Sequence, residues 1–297
     1  MQLTLGPVLF NWPTEAWQDF YARIADEADV DRVIVGEVVC SKRMPFRDHA
    51  IAAVLERLAR AGKEVVYATL ALPTLPRETR AIREAIEAGY PVEANDIATV
   101  HLLAGAPHVV GPYLNIYNEA ALAAHAALGA TRVCLSPELP LAAIEGLAAR
   151  AGAVALEVFA FGRAPLALSA RCYHARAHGL PKDACQFVCE RDADGMDVAT
   201  VTGQPFLAVN GIQTLGHGVT AAIRQVDALR AAGVDALRLS PQSCDMVAVA
   251  RVFRGLAEAR IDAAAAEAAL AALPLPGPLG DGYLRGLPGA RRLQDAE

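Results

Sequence analysis

The chain has 297 residues, 54% of them hydrophobic, with 27 basic against 33 acidic side chains and a formal net charge of -6. That length and apolar content can bury a large core, while the acidic balance offers no basic patch for neutralising phosphates, so nucleic-acid binding is set aside. No apolar run reaches the roughly 18 residues that read as a membrane-spanning helix.

The opening Met1-Gln2-Leu3-Thr4-Leu5-Gly6-Pro7 lacks the basic, then apolar, then small-residue pattern of a secretory signal. A cytoplasmic location is expected, where thiols stay reduced and six cysteines read as ligands or core residues rather than disulfides.

Short β-branched runs then alternate with segments of helical period. The predicted strands are Gln2–Leu5, Arg32–Gly36, Glu64–Ala68, Pro91–Ala94, His108–Val110, Arg132–Leu135, Ala153–Val158 and Ala236–Leu239. Between them, apolar residues recur at helical spacings, as in Ile51, Val54, Leu55 and Leu58. Eight βα units point to an α/β fold, a closed (β/α)8 TIM-like barrel, with a doubly wound open sheet as the alternative. The chain is predicted to be one barrel domain over 1–297, with an insertion at 159–219 between strands seven and eight and a C-terminal extension at 264–297. The insertion has no long helical pattern, a turn at Asp192-Ala193-Asp194-Gly195 and one strand at Phe206–Val209. The extension starts as an Ala-rich helix and becomes Pro- and Gly-rich from Leu273 to Gly289, which predicts a wrap over the barrel.

Four cysteines carry the chemistry. Cys172, Cys185 and Cys189 lie in the insertion, and Cys40 follows the second strand. In a barrel both segments reach the C-terminal face, where active sites are built. Converging thiolates are soft ligands, suited to zinc or an iron-sulfur cluster rather than magnesium or calcium. Cys185 and Cys189 are spaced C-x3-C, which on a helix would share one face; zinc knuckles more often show C-x2-C, so the spacing favours a cluster. A radical adenosylmethionine signature would need a third cysteine where Asp192 stands. Cys134, in an apolar strand, reads as a packing residue, and Cys244 follows the last strand without an assigned role. His174 and His178 stand near the cysteine loop, and Gly216-His217-Gly218 reads as a turn. Glu37 and Glu157, expected at strand ends, are candidates for acid-base work or substrate orientation, or for a hydrogen bond closing the barrel mouth. No H-E-x-x-H, G-x-S-x-G or phosphate loop is present.

The run from Glu157 to Cys172, Glu157-Val158-Phe159-Ala160-Phe161-Gly162-Arg163-Ala164-Pro165-Leu166-Ala167-Leu168-Ser169-Ala170-Arg171-Cys172, resembles the signature of the collagenase-like peptidase family of unassigned catalytic type. Gly6 to Pro13, Gly36 to Arg43, Pro181 to Cys185 with Cys189, Asn210 to Thr214 and Leu237 to Gln242 are similar to the branch of that family that serves ubiquinone biosynthesis. The similarity extends from the first strand to Gly282-Tyr283-Leu284-Arg285. It implies a 4Fe-4S cluster held by Cys40, Cys172, Cys185 and Cys189. It also implies a heterodimer with a UbiU-like subunit and a part in O2-independent ring hydroxylation. With no membrane-spanning or basic amphipathic segment, a lipid-carrier protein is the expected source of a quinone precursor. Two other readings are a peptidase-like hydrolase, which needs an activated nucleophile or catalytic metal, and a binding module in which zinc only staples the insertion.

Overall fold

The computed structural model describes residues 1–294, so the last three residues of the predicted extension lie outside the described residues. Parallel strands β1 (Gln2–Leu5), β2 (Arg32–Val35), β3 (Glu64–Ala68), β4 (Val92–Ala94), β5 (His108–Val110), β6 (Ala130–Cys134) and β7 (Ala155–Leu168) each pair with the next. An antiparallel ribbon of β8 (Met196–Ala199), β9 (Pro205–Asn210) and β10 (Gln213–Ala221) follows. Strand β11 (Ala236–Leu239) then pairs in parallel with both β7 and β1 and closes an eight-stranded barrel. That closure excludes the open sheet.

Helices α1 (Thr14–Glu27), α2 (Met44–Arg60), α3 (Pro76–Glu87), α4 (Ile97–Leu102), α5 (Glu119–Ala127) and α6 (Leu141–Ala148) connect the strands in turn. A short α7 (Tyr173–Ala177) lies in the insertion, and α8 (Val226–Ala231), α9 (Met246–Ala257) and α10 (Ala263–Ala271) complete the set. Helix α7 packs on β9 in the insertion and α10 packs on α9. In α1, Trp17, Tyr21, Ile24 and Ala25 are buried, three and four residues apart along one helix face. Side-chain oxygens of Asp96, Asn118, Asp245 and Asp262 accept the free N–H groups that begin α4, α5, α9 and α10. No helix among the described residues is long and apolar enough to cross a membrane.

The barrel interior is charged at mid-height and apolar at its mouth. Thr4, Arg32, Glu93, Glu157 and Arg238 are all buried. Arg238 donates to Glu157 through Nε and to Glu93 Oε2 at 2.6 Å through Nη2, while Thr4 Oγ1 donates to Glu157 at 2.7 Å. Each charge is therefore paired, the condition for burying it. Above this layer, Leu9, Ile34, Val38, Val39, Val66, Ala68, Val109 and Ile212 form an apolar plug.

Two regions differ from the sequence expectation. The seventh strand was expected to end at Val158 but runs 14 residues to Leu168. Beyond Phe161 it leaves the barrel and pairs antiparallel with β10, from Phe161↔Ala221 to Leu168↔Gln213, so the insertion is a sheeted arm rather than an irregular loop. The extension returns along this arm: β12 (Leu279–Gly280) pairs with Val219 and Thr220, and Leu141 N donates to Leu284 O.

Candidate functional site

The turn after β2 is built around a buried carboxylate. Gly36 has φ 153, and a Cβ there would sit 2.3 Å from Ala68 O, so only glycine lets the chain leave β2 this close to β3. Glu37 follows, and its Oε1 accepts the N–H groups of Val39 and Cys40 at 2.9 Å each, while Arg47 Nη1 reaches Oε2 at 3.1 Å. Cys40 is thereby held by its own backbone on the apolar plug, which it touches together with Cys172.

Cys172 caps the start of α7, where its Sγ accepts the Ala175 N–H at 3.4 Å. Cys185 closes the short 3-10 turn Lys182–Ala184, and Cys189 lies within a second one, Val188–Arg191. Between them Gln186 and Phe187 both adopt left-handed backbone, φ 49 and 51. Two consecutive non-glycine residues in that region store strain, which persists only where surrounding contacts enforce it. One such contact is Phe187 edge-on to Phe46, with centroids 4.7 Å apart. The C-x3-C segment is thus a forced turn and not the helix face its spacing suggests.

Cross-ties bring the segments together. Lys42 Nζ donates to Lys182 O at 2.6 Å, and Lys182 Nζ donates to Ala170 O at 2.7 Å, linking the Cys40 turn, the Cys185 turn and the run before Cys172. Arg43, almost fully buried, donates to Leu9 O and Asn210 Oδ1 at 2.8 Å each, and its charge and one N–H bear on Cys189. Asn210 Nδ2 also donates to Leu9 O at 2.7 Å and to Gln213 Oε1 at 3.2 Å, and Gln213 Nε2 continues to Tyr113 OH at 2.7 Å. Asp194 holds Ser243 N at 2.7 Å and Trp12 Nε1 reaches Ala193 O at 2.7 Å, pinning the end of the cysteine loop to two barrel loops.

All six cysteines are free thiols; Cys40, Cys172 and Cys185 are partly exposed and Cys189 is buried. Burial pushes the Cys40 thiol up, against the pull of Arg43 and with further rises from Glu37 and Cys189. Burial likewise raises Cys172, against the Ala175 N–H and with added repulsion from Cys189 and Cys185. Cys189 thus bears on both Cys40 and Cys172, and Cys185 on Cys172. Among the described residues no three of these sulfurs lie within 4.8 Å of one another. Beside Cys40 opens a cavity of about 290 Å³, lined by apolar Val39, Leu70, Leu75 and Ile212 and by charged Lys42, Glu78, Lys182 and Asp183.

With this arrangement in view, comparison with known families is informative: the model of peptidase family U32 matches residues 15–273. The chain belongs to that family. The U32 match spans α1 to just past α10 and so takes in seven of the eight barrel strands, all but β1, and the sheeted arm. In this U32 chain, no serine or cysteine side chain hydrogen-bonds a histidine among the described residues.

The remaining sequence candidates separate cleanly. Glu37 is spent on the Cys40 turn and on Arg47, so it acts on the site by holding the backbone. Glu157 was expected at a strand end, but it stands at mid-barrel because β7 continues past it; burial opposes its charge, and Arg238, Thr4 and Arg32 outweigh burial and hold its carboxyl below the usual range. Cys134 lies in the barrel beside that ion pair, its thiol pushed well up by burial. Burial, with Asp194, pushes Cys244 up to about 12. Arg43, Asn210 and Gln213 were not singled out by sequence reasoning, although each lies in a motif that carries the family resemblance. Their pairing spans loops far apart in the chain, which no local pattern encodes.

Proposed function

We propose that this U32 chain is an iron-sulfur protein of the UbiV type. In this reading it holds a 4Fe-4S cluster on Cys40, Cys172, Cys185 and Cys189 and works with a UbiU-like subunit in O2-independent ring hydroxylation for ubiquinone biosynthesis. The observation that carries the proposal is the strained Cys185–Cys189 turn, tied by Lys42, Lys182 and Arg43 to the segments bearing Cys40 and Cys172. The donor set fits: thiolates select iron-sulfur clusters and zinc over magnesium and calcium. Bound there, a cluster supplies one-electron transfer at a potential set by charge, hydrogen bonds to sulfur and exposure.

The chain's own groups then have defined tasks. Glu37 fixes the Cys40 backbone, Arg43 sets a permanent positive charge beside Cys189, and the apolar plug keeps water from the barrel side of the thiols. The cavity at Cys40 is the natural seat for a quinone-precursor ring, its apolar wall taking the ring and Lys42 and Lys182 its polar substituents. In this reading a lipid-carrier protein delivers the precursor.

Anaerobic co-purification with the UbiU-like subunit, followed by iron, sulfide and zinc analysis, tests the reading. About four iron and four sulfide per chain are expected, lost in Cys172→Ala and Cys185→Ala. A colourless, iron-free anaerobic preparation refutes it, and about one zinc per chain would establish the stapled binding module instead.

A further inference from the structure

Apart from the four thiols, the insertion gathers a second set of ligating side chains. We propose that His174, His178 and Asp192 form a separate mononuclear site for a divalent transition-metal ion of the zinc class. One ligand atom from each residue lies within 4.8 Å of the others. His174 Nε2 and Asp192 Oδ2 are 2.8 Å apart. Ligand atoms at about 2.0–2.2 Å around one tetrahedral zinc stand about 3.3–3.6 Å from one another, so a small separation of His174 and Asp192 admits the ion between them.

The donor chemistry selects the metal. Two imidazoles and one carboxylate suit zinc and its first-row neighbours, whereas magnesium and calcium prefer oxygen throughout. His174 and His178 are four residues apart around α7, and their rings stack with centroids 5.7 Å apart at 17°, so both imidazoles are presented on one side. His174 is fully buried, and its Nδ1 lies beside the Val209 backbone without a well-formed hydrogen bond. A metal on Nε2 makes Nδ1–H a stronger donor, and a backbone carbonyl is the usual partner of that second nitrogen in metal-bound histidine. His178 is exposed and Asp192 half-buried, which leaves the fourth position to water. An ion here ties the helix that begins at Cys172 to the segment that follows Cys189, and so fixes the distance between two thiols. The site stands whether or not the thiols carry a cluster.

The test titrates Co2+ into the anaerobically prepared full chain, following visible absorption and bound metal by equilibrium dialysis. One ion per chain is expected with weak ligand-field bands and no sulfur-to-metal charge transfer, displaced by Zn2+. His178→Ala changes an exposed side chain and leaves the fold intact, which circular dichroism verifies; it should weaken this ion's binding roughly a hundredfold. Asp192→Asn should do the same, and Cys185→Ser should leave it unchanged. Absence of any uptake sensitive to His178→Ala overturns the proposal, as does a charge-transfer band on the His178-sensitive ion. Loss of iron in Cys185→Ser with this Co2+ site retained would separate the outcome from that of the cluster reading.

Discussion

Arg43 Nη2 donates to Asn210 Oδ1 at 2.8 Å across 167 positions of sequence, joining the turn that carries Cys40 to the arm that carries the other three cysteines. Both side chains are buried and both also engage Leu9 O, so three loops meet at one guanidinium. Arg43→Ala should destabilise the chain by about 3–5 kcal/mol, since Glu37 would lose one of its two buried cations and two buried acceptors would lose a donor. Asn210→Ala should cost about 1–3 kcal/mol. The double variant should cost less than the sum, because the second change finds its partner already gone. Urea unfolding of the four proteins measures this, and strict additivity would show that the pair does not couple the two segments.

The barrel ion pair gives the fold a defined response to acid. The folded carboxyl of Glu157 is held below its ordinary range, so as pH falls the unfolded chain takes up the proton first. The stabilisation is therefore complete above the unfolded value of about 4.3 and is lost as pH drops through the lower folded value. Glu157→Gln should lose about 2 kcal/mol at neutral pH, and the gap to the unaltered protein should narrow between about pH 5 and pH 3. Urea midpoints across that range decide the point: a constant gap would mean that Glu157 does not carry the acid response.

The closed barrel was legible because fully buried strands such as Val33-Ile34-Val35 read as continuous β-branched runs. The seventh strand runs on through Gly162 and Pro165, residue types that usually interrupt a strand. Both have other reasons to be there. A Cβ on Gly162 would lie 2.8 Å from Ser240 Cβ, and Pro165 pairs with Leu215 where the register shifts, a place that tolerates a missing N–H. The cysteines could be named from spacing and topology, but Arg43, Asn210 and Gln213 act through contacts between distant loops, and single-sequence periodicity contains no record of those.

Gly36 is the position where the turn allows no side chain. Gly36→Ala would place a methyl against the Ala68 carbonyl in a backbone region that L-residues avoid. A loss of about 2–4 kcal/mol is expected, and because the Glu37 turn must shift, metal uptake at Cys40 should fall with it. Thermal unfolding and metal content of the variant measure the two effects. A variant with unchanged Tm would show that β2 and β3 do not approach this closely.

The turn between Cys185 and Cys189 can be graded by substitution at Gln186. Its φ of 49 costs any L-residue about 1–2 kcal/mol, more when the side chain is β-branched. Gln186→Gly removes that steric cost but gives the unfolded chain more freedom, so stability should change by less than about 1 kcal/mol. Gln186→Val keeps the unfolded chain stiff and sharpens the clash, and should lose about 1–2 kcal/mol. Because the left-handed pair turns the chain between the two thiols, Val should also lower metal uptake while Gly preserves it. Cys134→Ala and Cys244→Ala, whose thiols lie outside the proposed ligand set, serve as controls with unchanged uptake. Val as the least stable of the three, with Gly close to Gln and metal content falling only for Val, is the expected result; Val matching Gln in both measurements would mean that the solution turn is not left-handed.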